Sequence, residues 1–236
     1  MKLKLPTYLL ILICVSIKSE AQSITIDTAY LSEVKTELRA VWPANRTVNL
    51  VFHGHSVPAG YWHDHEVHTL ESYPNLVLEK LKAKYPYAPI NIIITAIGGE
   101  NAEKGEARFV KEVLNHKPDV LFIDYALNDR SLGLEKAKLA WEKMIQEAIR
   151  QNIKIILLTP SPDQRVDLTA AGNELEQHAS QIRQLAKTYK TGLADSFILF
   201  QQKIKAGEKL TDYMSHVNHP NKKGHELIAD EIMKWF

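Results

Sequence analysis

The chain has 236 residues, with 29 basic and 28 acidic side chains, ten histidines and one cysteine. A net charge of +1 with no basic cluster argues against a nucleic-acid partner, and one cysteine excludes a disulfide framework. Stability must therefore come from a buried core, which a chain of this length can form.

The first predicted element is an export signal. Lys2 and Lys4 precede an apolar run from Tyr8 to Ile17, and the small residues Ser19 and Ala21 precede a cut before Gln22. Residues 1–21 are read as a signal peptide, since the run is too short for a spanning helix. A retained anchor is the alternative. Cys14 lies in this run, so the mature chain has no thiol, and Ile13 before it does not fit a lipoprotein signal. The expected destination is the periplasm or the medium. No second long apolar run suggests membrane contact after removal of the signal. Residues 22–236 show no linker, repeat or composition shift and are read as one domain.

Apolar, β-branched runs then alternate with segments of helical period. Val48–Gly54, Ile90–Ala96, Val120–Tyr125 and Ile153–Thr159 read as strands buried on both faces, with Gly192–Phe197 as a weaker fifth. Ala137, Trp141, Met144, Ile145 and Ala148 recur at helical spacing, as do Leu175, Ala179, Ile182, Leu185, Ala186 and Tyr189. A last helix is predicted from about Lys222, with Asn221 as its N-cap. This alternation implies an α/β fold with a doubly wound, mostly parallel sheet, whose ligands sit at the carboxyl ends of the strands.

Chemistry-bearing residues follow those ends. Gly54-His55-Ser56 follows the first run, Gly98-Gly99-Glu100-Asn101 the second and Asn128-Asp129 the third, with His219 in "HVNHPNKKGH" near the C-terminus. Each alone has a plainer reading: Ser56 and Asn128-Asp129 as helix caps, Gly98-Gly99 as a turn, His219 as a loop residue before Pro220. Together they make an acyl-transfer set, in which an imidazole activates a serine hydroxyl and N–H donors stabilise the oxyanion.

These residues resemble the SGNH, or GDSL-type, hydrolases, whose four blocks are matched by Ser56 in "GHS", Gly99 in "IGGEN", Asn128 in "LND" and His219 in "NHPN". The resemblance implies a flavodoxin-like, three-layer fold of about five parallel strands and a serine esterase. In that reading Ser56, Gly99 and Asn128 form the oxyanion hole and His219 is the base. Three positions depart from the family: His55 replaces the GDS aspartate, Ala126 a glycine, and His216 the aspartate that orients the histidine. Asp212, His216 or a backbone carbonyl then remain as candidates to steer His219, beside the reading that activity has been lost.

No P-loop lysine follows Gly54, and Pro58 breaks G-x-S-x-G. His63, His65 and His68 with Asp64 and Glu66 suggest zinc, but H-E-x-x-H is missing, so neither metal nor cofactor is expected. Tyr61, Trp62 and Tyr73 are candidate stacking surfaces for a sugar, or else pack beneath the loop. The expected partner is a small-molecule or glycan ester, with acetyl esters of carbohydrates preferred. A glycan-binding module with weakened chemistry and an acyltransferase are the alternatives, and the oligomeric state is left open.

Overall fold

The computed structural model describes residue 27 and residues 29–236. The expected signal peptide, residues 1–21, lies outside the described residues. The strands are β1 (Val48–Gly54), β2 (Ile90–Ile94), β3 (Val120–Asp124), β4 (Lys154–Leu158) and β5 (Gly192–Ala194). They form one parallel sheet in the order β2-β1-β3-β4-β5, the flavodoxin-like order. Each expected run contains a strand, but the fifth is shorter than Gly192–Phe197. Asp195 ends it by accepting from the backbone N–H of Ile198 at 3.4 Å, which turns Ser196 and Phe197 into a helix.

Eight α-helices accompany the sheet among the described residues. They are α1 (Ser32–Arg39), α2 (Ser56–Ala59), α3 (Tyr73–Lys84), α4 (Ala102–Glu112), α5 (Leu134–Arg150), α6 (Glu174–Tyr189), α7 (Ser196–Lys205) and α8 (Lys222–Met233). Because side chains alternate along a strand, each strand supplies both faces. Leu50, Phe52, Val120, Phe122 and Ile156 pack with α1, α3, α7 and α8, while Val51, Leu121, Ile123 and Leu157 pack with α4, α5 and the later turns of α6. This explains the nearly continuous apolar runs of β1, β3 and β4, whereas β2, at the edge of the sheet, is only partly buried rather than covered on both faces. Asn221 caps α8 as expected, accepting from Gly224 N–H at 3.1 Å. Among the described residues, no helix is long and apolar enough to cross a membrane.

The chain leaves β1 toward β2 on one side and later returns to place β3 on the other. A crevice opens where the winding reverses, at the carboxyl ends of β1 and β3. The loops after β1, β2 and β3 carry Ser56, Gly99 and Asn128 to this edge.

Candidate active site

Gly54 ends β1 against β3. A Cβ there would lie 2.5 Å from the Asp124 carbonyl oxygen and 2.9 Å from Pro58, so the turn into α2 closes only around glycine. Ser56 is the first residue of α2 rather than its cap. The cap is His55, whose Nδ1 accepts from Val57 N–H at 3.2 Å. With Nδ1 accepting, the ring proton is on Nε2, which stands 3.4 Å from the Asp124 carboxylate. Tyr73 donates to the other Asp124 oxygen at 3.0 Å. His55, Asp124 and Tyr73 are all buried, so they form a polar footing under the serine turn. The sequence offers one signal for Asp124, a carboxylate closing the otherwise apolar run "VLFID". Tyr73 is fully buried, so it packs beneath the loop and presents no stacking surface.

Gly99 has a φ of +78°, which side-chain-bearing residues rarely adopt, and the space where its Cβ would stand is open. Its loop is held by Glu100, whose carboxylate accepts from Arg108 Nη2 at 2.6 Å and Nε at 3.0 Å. Asn128 Nδ2 donates to the Glu100 carbonyl at 2.8 Å, which orients the amide and leaves its second hydrogen for another acceptor. Asp129 turns inward, accepting from Ala102 N–H and Trp141 Nε1 at 2.7 Å each. The adjacent pair thus divides its tasks: Asp129 ties α4 and α5 to the turn, and Asn128 stays at the crevice.

His219 comes from the loop between a 3-10 turn, Leu210–Tyr213, and α8. Met214 and Pro220 bridge across this loop, and the His219 carbonyl accepts from Ser215 N–H at 2.9 Å and His216 N–H at 3.2 Å. So held, His219 Nε2 stands 2.9 Å from Ser56 Oγ, across 163 positions of sequence. That is hydrogen-bond distance between a hydroxyl and a candidate base.

The model of the GDSL-like Lipase/Acylhydrolase family matches residues 52–227, a span that includes all four of these residues. The chain belongs to this family. Solved structures share the fold of this GDSL-like chain. A two-domain esterase (CEX) active on acetylated mannans aligns at 21% identity and a TM-score of 0.70, covering 87% of this chain and 52% of that one. The chain thus spans about half of that protein. The acetyl xylan esterase AlAXEase aligns at 25% identity and a TM-score of 0.65, covering 79% and 98%. A catalytic mutant of Axe2, an acetylxylan esterase from Geobacillus stearothermophilus, aligns at 20% identity and a TM-score of 0.69, covering 80% and 93%. No curated protein sequence matches.

The candidates for orienting His219 fare differently in this GDSL-like site. Its Nδ1 is buried and has no hydrogen-bond partner among the described residues. The His216 ring lies beside it, with centroids 5.9 Å apart and planes 27° from parallel. Asp212 is exposed and makes no hydrogen bond to His219; its backbone carbonyl accepts from Asn221 Nδ2 at 3.1 Å. Tyr61 approaches His219 at 6.4 Å between ring centroids and packs on Gly98. Trp62 instead stacks on His68, with centroids 4.0 Å apart. Asp64, Glu66 and His68 bring potential ligand atoms within 4.8 Å of one another at the surface. His53, on the opposite face of β1 from Phe52, meets Thr95 Oγ1 at 3.0 Å and the Gly105 carbonyl at 3.2 Å.

Burial, first of all, pushes three imidazoles below the usual histidine range. His53 falls to about 3, with Arg108 adding to the effect; His219 to about 4, with His55 and His216; and His225 to about 3, with His219. The unfolded chain binds protons at these positions near pH 6.5, where the folded chain refuses them. Their contribution to stability is complete above that pH and is lost as pH falls, through about 4 for His219 and about 3 for His53 and His225. Asp129, raised by burial to about 6, works in the opposite direction but is one group against three. The melting temperature measured by calorimetry should therefore drop between pH 6.5 and 4.5. A flat profile would show that the folded protein admits those protons.

Proposed function

We propose that this chain is an exported serine esterase that removes short acyl groups, acetyl foremost, from carbohydrate esters. The 2.9 Å contact between Ser56 Oγ and His219 Nε2 carries the reading. Ser56 Oγ attacks the ester carbonyl as its proton passes to His219 Nε2. The oxyanion of the tetrahedral intermediate is received by the second Nδ2 hydrogen of Asn128 and the backbone N–H groups of Ser56 and Gly99. His219 returns the proton to the departing alcohol, leaving an acyl-serine. Water, deprotonated by the same imidazole, releases the acid and restores Ser56. No step uses a metal or cofactor.

The carbohydrate part of the proposal draws on the acetylated mannans and xylans named for three structures of the same fold, and on Tyr61 beside His219. Export by residues 1–21 belongs to the same proposal. A glycan-binding module with weakened chemistry has one observation in its favour, that Nδ1 of His219 has no hydrogen-bond partner among the described residues. Asn128→Ala separates the two readings. For an esterase, kcat for p-nitrophenyl acetate should fall by roughly a hundredfold or more while KM moves little, because the donor acts on charge that develops in the transition state. A variant with unchanged kcat would remove Asn128 from the oxyanion hole.

A further inference from the structure

A cavity of about 580 Å³ opens next to the oxyanion donors, lined by Gly99, Asn128, Arg130, Arg165, Glu174 and Asn218 among others. Its volume falls within the range of small-molecule sites, roughly 300–1,000 Å³. Asn218 adjoins His219, so the same cavity touches both the donors and the loop of the base.

Its charged wall is organised by one carboxylate. Asp163 lies in the loop after β4, and its side chain is fully buried. Asp163 Oδ2 accepts from Arg130 Nη2 and from Arg165 Nη2 at 2.6 Å each. Its Oδ1 accepts from the backbone N–H and Nε of Arg165 at 2.9 Å each. Burial alone would raise this carboxyl, but the bonds from Arg165 and Arg130 hold it at about 2. Arg130 Nη1 continues to Glu174 Oε1 at 2.5 Å. Gln164 clamps the loop to that of His219, donating from its backbone N–H to the Val217 carbonyl at 2.8 Å and from Nε2 to the His216 carbonyl at 3.0 Å.

Two guanidinium groups stand against two carboxylates, so this wall has no surplus positive charge to attract phosphate or another anion. It does retain hydrogen-bonding capacity: Arg165 Nη1 and Glu174 Oε2 make no hydrogen bond among the described residues. A donor and an acceptor held on one wall suit neighbouring hydroxyls, each of which both donates and accepts. Both side chains are more than half exposed, so a hydrocarbon acyl chain laid over them would displace their water without replacing its hydrogen bonds.

We propose that this cavity is the subsite for the sugar ring bearing the ester, and that Arg165 and Glu174 determine specificity by hydrogen-bonding its free hydroxyls. The proposal rests on the esterase reading and assigns the alcohol side of the substrate to the loops after β3 and β4.

The test compares kcat/KM for an acetylated xylo-oligosaccharide with that for p-nitrophenyl acetate, in the wild type, Arg165→Ala and Glu174→Gln. The ratio of the sugar ester to the aryl ester should fall about tenfold in each variant, through KM. An unchanged ratio, or an equal loss in kcat on both substrates, would overturn the proposal. Calorimetric titration of the Ser56→Ala protein with xylopentaose and mannopentaose gives a readout independent of turnover. Glu174→Gln in that background should weaken binding about tenfold. Absence of binding to either glycan, or competition by inorganic phosphate, would sink the subsite even with the esterase intact. Aryl-ester hydrolysis that survives Ser56→Ala would instead remove the esterase reading, while the titration still decides whether the cavity holds a sugar.

Discussion

Hydrolysis of p-nitrophenyl acetate is expected to fall by roughly 10³- to 10⁶-fold when Ser56 is replaced by alanine. The loss would come from chemistry rather than folding. Alanine removes one hydroxyl at a turn whose helix is capped by His55, not by the serine, and the footing of Asp124 and Tyr73 under that turn is untouched. Circular dichroism and melting temperature should therefore stay close to those of the wild type. The oxyanion donors remain, so a small residual rate above that of water is expected. A fluorophosphonate should add its mass to the wild type at Ser56 and leave the variant unmodified. A folded variant retaining more than about a tenth of the activity would falsify the assignment of Ser56 as nucleophile.

His219→Ala is expected to cost on the order of 10³-fold or more on the same substrate, since the serine loses the group that takes its proton. The pH profile carries further information. Burial, with His55 and His216 nearby, holds the imidazole at about 4, so it is neutral and able to accept a proton down to that pH. The acidic limb of kcat/KM in the wild type should accordingly lie near pH 4 rather than 6.5. An imidazole so reluctant to be protonated is also a weak base, and no group among the described residues accepts from its Nδ1. His216→Asp offers a carboxylate three residues before His219 in the same turn. It should move the acidic limb toward neutrality and raise kcat by about tenfold, as a stronger base does. Asp212→Asn should change neither, because that carboxylate has no bond to the imidazole. A large loss in Asp212→Asn would show that the loop rearranges during turnover.

The fold was largely legible in the chain, and for a physical reason. Strands covered by helices on both faces have no polar side to interrupt them, so "VNLVF", "VLFI" and "IILL" stand out as apolar runs, while "INIII" lies at the sheet edge and is only partly buried. The fifth strand ends short of the run Gly192–Phe197 because Asp195 caps the following helix, a role its apolar neighbours do not announce. The gathering of Ser56, Gly99 and Asn128 was legible because a parallel sheet delivers the residues after each strand to one edge, whatever the length of the crossover, whereas His219 follows no strand and was legible through its "HPNKKGH" block.

Sequence alone thus determined the alternation that makes the sheet, the edge at which Ser56, Gly99 and Asn128 gather, and the histidine block of the family. Both quantities behind those inferences, periodicity and position relative to a strand end, are local. Only the tertiary structure decided what surrounds His219. Asp212 and His216 are close to it in sequence, yet the path of the loop between Leu210 and Asn221 leaves the first at the surface and sets the second beside the ring. The footing of His55, Asp124 and Tyr73, and the two arginines gathered by Asp163, join segments separated by tens of residues. Such pairings are selected by burial, where an unpaired charge is costly, and burial is a property of the packed chain.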